Sequence, residues 1–189
     1  MSHHMYQILM ISGSLKLGSI NTAILKGLTL LADEAMTMRF SLYEGLGELP
    51  HFNPDRDTPQ AIEAVEHFRE QLRSSDGVII CTPEYAAGVP GTLKNALDWI
   101  VSSGELMNKP VAAISASPSM QGGAKALESL EATLRMIDAR MFSGGVVGIP
   151  QMNRNKIGPD GEVADSELRL TLLGILNALK SELEEQQES

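Results

Sequence analysis

Between Gly13 and Asn21 the stretch G-S-L-K-L-G-S-I-N brings together two hydroxyls (Ser14, Ser19), a cation (Lys16) and an amide (Asn21). That donor set suits an anion with several oxygens, such as a terminal phosphate. A helix starting just behind it would add unpaired first-turn N–H groups and the positive end of the helix dipole. A plainer role stays open for one member, since Ser19 also suits an N-cap, which needs a single hydroxyl. Two other phosphate motifs fail here. Gly13 and Gly18 have the spacing of a nucleotide-triphosphate loop, but the lysine required after the second glycine is replaced by Ser19. The dinucleotide pattern G-x-G-x-x-G is absent after the first apolar run. The segment therefore reads as a monophosphate cradle.

A second segment, T-P-E-Y-A-A-G-V-P-G at 82–91, is suited to close approach of a flat ligand. Gly88 and Gly91 allow near backbone contact, the prolines fix local φ, and Tyr85 offers an aromatic surface. Asn95 is placed to steady this loop, and Trp99 reads as a packing residue. A third segment, S-A-S-P-S-M-Q-G-G at 115–123, again combines hydroxyls and glycines ahead of a helical pattern. Cys81 lies inside an apolar run and reads as a core thiol. His51 and His67 have no Cys, Asp or Glu at metal-ligand spacing and read as structural or surface residues.

The elements that must position these segments alternate along the chain. Apolar strand patterns occupy Tyr6–Ser12, 39–43, Gly77–Thr82, Val111–Ala116 and 142–149, the last weakened by Gly144 and Gly145. Helical spacing occupies 21–35, 60–73, 90–101, 124–138 and 166 onward into an acidic tail at 182–189. Polar loops at 50–60 and 151–162 interrupt the pattern, and covering the site or joining an interface are both open roles for them. Strands alternating with helices predict an α/β fold with a parallel sheet and helices on both faces. Right-handed crossovers favour the flavodoxin-like doubly wound order 2-1-3-4-5. In that order the ligand crevice lies at the carboxyl ends of strands one and three, where the three segments above converge.

With 189 residues and no repeat or linker, a single domain spanning 1–189 is expected. A net charge of −9 argues against broad nucleic-acid binding, and no apolar run is long enough to span a membrane. Residues 1–5 lack the pattern of a secretory signal and read in part as a recombinant leader, so His3 and His4 are given no functional weight. One cysteine excludes an internal disulfide, and a cytoplasmic location is the natural expectation.

At the first two segments the chain resembles the NADPH-dependent FMN reductase family, which includes quinone, azo-dye and chromate reductases. G-S-L-K-L-G-S-I-N is similar to that family's G-S-x-R-x-x-S-x-N. P-E-Y-A-A-G-V-P-G-T-L-K-N-A-L-D-W at 83–99 resembles its P-E-Y-N-G-S-x-P-G-x-L-K-N-A-x-D-W, a longer and more specific match. The resemblance implies that Ser14, Lys16, Ser19 and Asn21 hold the FMN phosphate. It implies that Pro83, Glu84, Tyr85 and Ala86 line the isoalloxazine, largely through backbone groups, and that Ser117, Gly122 and Gly123 complete the pocket. The third loop's N–H groups would face the pyrimidine edge of the ring. It also implies NADPH or NADH as electron donor, a small-molecule acceptor, and a homodimer or homotetramer with flavin sites near an interface.

Three departures stand out. Lysine replaces arginine at 16, Ala86-Ala87 replace Asn-Gly, and Ser119-Met120-Gln121 stand where a further small residue is usual. The expected activity is hydride transfer from a nicotinamide to the flavin and on to a quinone-like, azo or metal-oxyanion acceptor, with no side-chain nucleophile or metal. Two other readings are an electron carrier of the flavodoxin type, docking a redox protein through its acidic surface, and a non-catalytic member whose Ala86-Ala87 pair weakens flavin binding.

Overall fold

In the computed structural model, which describes residues 4–32, 36–58 and 62–188, five strands form one parallel sheet. They are β1 (Tyr6–Ser12), β2 (Met38–Tyr43), β3 (Gly77–Thr82), β4 (Val111–Ala116) and β5 (Val146–Ile149), in the order β2-β1-β3-β4-β5. Five helices connect and follow them: α1 (Ile20–Leu31), α2 (Glu63–Arg73), α3 (Gly91–Asp98), α4 (Ala124–Met136) and α5 (Ser166–Glu188). This is the flavodoxin-like doubly wound topology that the alternating pattern predicts.

Side-chain alternation along the strands divides the core into two layers. On one face Ile8, Met10, Ile79, Cys81, Ala112 and Ile114 pack with α1 and α5 through residues such as Ile24, Leu28, Leu172 and Leu179. On the other, Leu9, Ile11, Val78, Ile80, Val111 and Ala113 pack with α2, α3 and α4 through Phe68, Leu93, Trp99 and Leu130. β3 and β4 are buried at every residue, as expected of central parallel strands covered on both sides. Among the described residues no helix is long and apolar enough to cross a membrane.

Some boundaries differ from those read in the sequence. β5 begins at Val146 rather than at 142, because a turn closed by the Gly145 N–H on the Phe142 carbonyl (3.1 Å) occupies the preceding residues. α3 ends at Asp98, and the chain tightens through Trp99 and Ile100 into turns. α1 stops at Leu31, with Ala32 extended; residues 33–35 of the expected helix, and 60–61 of the next, lie outside the described residues.

Candidate functional site

Strand order reverses between β1 and β3, so the loops leaving their carboxyl ends diverge to opposite faces and open a crevice. At its floor the chain paths come close. The Gly13 N–H donates to the Cys81 carbonyl (2.8 Å), and a Cβ at Gly13 would stand 2.7 Å from Thr82 Oγ1. Only glycine fits there.

The first loop is pre-shaped by its own hydroxyls. Ser14 Oγ accepts from the Lys16 N–H (3.3 Å), and Ser19 Oγ accepts from the Asn21 N–H (3.2 Å), capping α1. The N-cap role left open for Ser19 is therefore present, alongside its position in the crevice. Asn21 is buried, and its Oδ1 accepts from the Cys81 thiol at 3.3 Å. Desolvation by burial pushes that thiol well above its ordinary pKa, so Cys81 stays protonated and able to donate.

The second loop carries a two-residue hairpin. Tyr85 and Gly88 exchange backbone hydrogen bonds (2.9 and 3.1 Å), with Ala86 and Ala87 between them at φ +48 and +60. Those angles define a type I′ turn, which favours Asn-Gly. The turn thus survives in this chain with alanines in the left-handed region. Glu84 turns away from the loop, and its carboxylate accepts from the N–H groups of Lys125 (2.9 Å) and Ala126 (3.2 Å). Two first-turn donors of α4 are thus committed to Glu84.

The third loop is held from below by a residue of β4. Ser115, fully buried, donates through Oγ to the Gly122 carbonyl at 2.6 Å. Gly122 and Gly123 lie at φ +60 and +77, and a Cβ at Gly122 would meet the backbone of Ile149 and Pro150 at 3.0 Å. Ser117 Oγ accepts from the Ser119 N–H (3.2 Å), forming a local turn.

Ser14, Lys16, Ser19 and Asn21 line one cleft of about 300 Å³ together with Pro83 and Tyr85. Ala116, Pro118 and Met152 add an apolar part to its lining. Residues 6–154 match the NADPH-dependent FMN reductase family. The chain belongs to that family. A quinone reductase of Escherichia coli (strain K12) is 34% identical over 181 residues, covering 91% of this chain and 92% of the relative. An NAD(P)H-dependent FMN reductase of Pseudomonas aeruginosa is 34% identical over 176 residues, covering 92% and 93%. Among solved structures, a flavoenzyme NAD(P)H:(acceptor) oxidoreductase from Paracoccus denitrificans superposes with a TM-score of 0.85 at 31% identity, over 95% of this chain and 98% of that one.

As an FMN reductase the chain is an oxidoreductase that uses FMN and NAD(P)H, and its cleft fits that cofactor. The polar lining offers a cation, hydroxyls and an amide to a phosphate, while the apolar lining and the Tyr85 ring, 51% exposed, suit a flat aromatic system. A Cβ at Gly88 or Gly91 would meet nothing within 4 Å, so packing within the chain does not require glycine at either position.

Six of the sequence-predicted residues thus come together in the lining. The other five stand around it. Glu84 ties the second loop to α4, Ala86 forms the hairpin turn, and Ser117, Gly122 and Gly123 shape the third loop. Asn95, expected to steady the second loop, reaches a different one: its Oδ1 accepts from the Phe52 N–H (2.7 Å) and its Nδ2 donates to the Pro50 carbonyl (3.0 Å). Trp99 packs as expected, 1% exposed, and also donates to Pro50 through Nε1 at 2.8 Å.

Two residues escaped the sequence reading. Ser115, which stands both in the strand pattern and at the head of the third segment, supports that loop from within β4. Arg154 lines the cleft from the connection after β5, and its guanidinium donates to the Gly18 carbonyl. The polar run N-R-N-K at 153–156 was its only sequence signal.

Proposed function

We propose that the chain catalyses two-step hydride transfer from NADPH or NADH to a quinone-like, azo or metal-oxyanion acceptor, with FMN held in the cleft between β1 and β3. The observation carrying this reading is the convergence of Ser14, Lys16, Ser19 and Asn21 with Pro83 and Tyr85 around one cleft at the sheet's switch point. The name of the Escherichia coli relative, quinone reductase, supports a quinone as the acceptor.

In this reading bound FMN supplies the hydride chemistry, and the chain supplies position and electrostatics. Lys16 and the α1 N-terminus neutralise the phosphate, while the Ser14 and Ser19 hydroxyls and the Asn21 amide fix its oxygens. Cys81 holds Asn21 in orientation by occupying Oδ1, which turns Nδ2 into the available donor. Pro83, Glu84, Tyr85 and Ala86 line the ring, chiefly through backbone. Ser117, Gly122 and Gly123 close the remaining edge. No side-chain nucleophile is needed. The chain would work as one domain, as a homodimer or homotetramer, in the cytoplasm.

Protein reconstituted with FMN and passed through gel filtration is expected to retain the visible flavin bands, to bleach on anaerobic NADPH, and to regain colour on adding a small quinone. Retained flavin that NADPH fails to bleach would instead indicate an electron carrier. Failure to retain flavin at all would sink the reading.

A further inference from the structure

The first loop has one cation, and it is a lysine. Its ammonium acts as a point charge and cannot present the planar two-pronged donor set that a guanidinium offers a phosphate. The structure provides a guanidinium from elsewhere in the chain. Arg154 is separated from Gly18 by 136 residues, yet its Nη2 donates to the Gly18 carbonyl and it shares the cleft lining with Ser14, Lys16 and Ser19.

The segment that carries Arg154 is anchored on both sides. The N–H groups of Gln151 and Met152 donate to the carbonyls of Ser119 and Ser117, each at 3.0 Å. The Met152 and Ile157 side chains are buried in the core layer beneath α1 and α5. Asn153 Oδ1 accepts from the Asn155 N–H at 2.9 Å, bending the backbone around Arg154. The backbone on either side of Arg154 is therefore anchored, and its exposed side chain reaches the first loop from there. Charge supports the assignment as well. In a chain of net charge −9, two cations converge on this cleft and, among the described residues, no carboxylate lines it. The Gly18 carbonyl engages Nη2, and a guanidinium has five N–H donors in all.

We infer that Arg154 binds the phosphate of the flavin, so that the phosphate clamp is split between the first loop and the connection after β5. This rests on the FMN reading above and deepens it: the split clamp makes the site selective for a flavin phosphomonoester over unphosphorylated riboflavin. Lys16 supplies the point charge and Arg154 the fork.

The test titrates flavin-free wild type, R154Q and R154K with FMN and with riboflavin, following flavin fluorescence. R154Q is expected to weaken FMN binding roughly 10–100-fold, the range of a hydrogen bond to a charged group. Riboflavin affinity should stay within about twofold, since it lacks the phosphate that a guanidinium would grip. R154K should recover part of the loss. Inorganic phosphate should raise the thermal midpoint of the wild-type apoprotein more than that of R154Q.

Equal loss toward both flavins would reduce Arg154 to a strut for the first loop and overturn the inference. So would unchanged FMN affinity, whether alone or with a raised KM for NADPH but not NADH, which would assign the guanidinium to the 2′-phosphate of the donor. Wild type that binds no FMN would overturn the underlying reading and this inference with it, a result distinct from all the others.

Discussion

Lys16 and the Ala86-Ala87 pair are the residues at which this chain's chemistry departs most from the family pattern it resembles, and their consequences differ. Lys16 is exposed at the cleft, so the phosphate contact proposed for it is a screened charge–charge contact with little geometric demand. Lys16→Ala should weaken FMN roughly tenfold in a fluorescence titration, and Lys16→Arg should tighten it by restoring the planar fork. An unchanged affinity in Lys16→Ala would remove Lys16 from the site. The alanine pair acts on stability instead. Both residues are exposed and hold positive φ, which costs an L-residue about 1 kcal/mol or more. Ala87→Gly relieves one of these strains, partly offset by the greater freedom of glycine in the unfolded chain. A net gain of about 1 kcal/mol would raise the thermal midpoint by about 2–4 °C in a domain of this size. A lowered midpoint would contradict the I′ geometry. Residue identities in the first two loops were legible because their donor types and turn chemistry are local in sequence. Arg154 was not legible as part of the cleft, since its nearness to Gly18 exists only once β5 has been placed beside β4.

Elements show the same division between local and tertiary information. Strand and helix periods marked the five strands and the five α-helices, though not the short 3-10 turns at Gly45–Gly47 and Pro54–Arg56, and the boundary errors fell at ends, as at Phe142–Gly145, where a turn hydrogen bond replaces the expected strand pairing. What periodicity could not show was the purpose of the 50–58 loop, which α2 and α3 hold from two sides. Asn95 and Trp99 of the K-N-A-L-D-W run bind its Pro50 and Phe52 backbone, and the Phe52 ring stands edge-on to Trp99 at 5.1 Å. Farther along the loop, Asp57 accepts from Arg69 at 2.8 Å and from Ser102, while Arg69 also donates to the Trp99 carbonyl. Arg69 is buried, and its Nε has no hydrogen-bond partner, so it depends on Asp57 for compensation. Asp57→Ala should therefore destabilise the fold by about 3 kcal/mol, at the lower end of what an orphaned buried charge costs because Glu105 lies 4.0 Å away. The Ser102 hydroxyl, then the Arg69 hydrogen bond, hold the Asp57 carboxyl below its ordinary range. A depressed folded-state pKa means that the native state binds this proton less readily than the unfolded chain does. Its stabilising effect is thus complete above about pH 4 and disappears as pH falls through the folded value. Urea midpoints of wild type measured from neutral to acidic pH should fall in that window, with Trp99, the one tryptophan, as reporter. In Asp57→Ala that part of the fall should be missing; an identical pH profile would exclude Asp57 as its source.

For the whole molecule, the sheet topology that creates the crevice also gathers an apolar rim around it. Leu15 and Leu17 project from the first loop, Tyr85 from the second and Met120 from the third, and Leu17 is 98% exposed. Scattered exposed apolar residues are ordinary, but these four belong to three loops leaving the same end of one sheet. The fold alone does not need them there, since the two core layers are complete without them. Their placement fits the proposed homodimer or homotetramer, in which a second copy of the chain would cover the rim and border the flavin cleft. Two-fold association reuses one patch on both subunits, so a single substitution introduces two like charges into the interface. Leu17→Lys should therefore weaken association strongly while costing the isolated fold little, because an exposed surface position away from special features seldom contributes more than about 0.5 kcal/mol. In sedimentation the wild type should run as a multiple of 20.4 kDa and Leu17→Lys should shift toward that mass, with unchanged circular dichroism. Wild type sedimenting as a monomer would end the oligomer proposal. An oligomer that Leu17→Lys leaves intact would move the interface to another face and leave the rim to the acceptor.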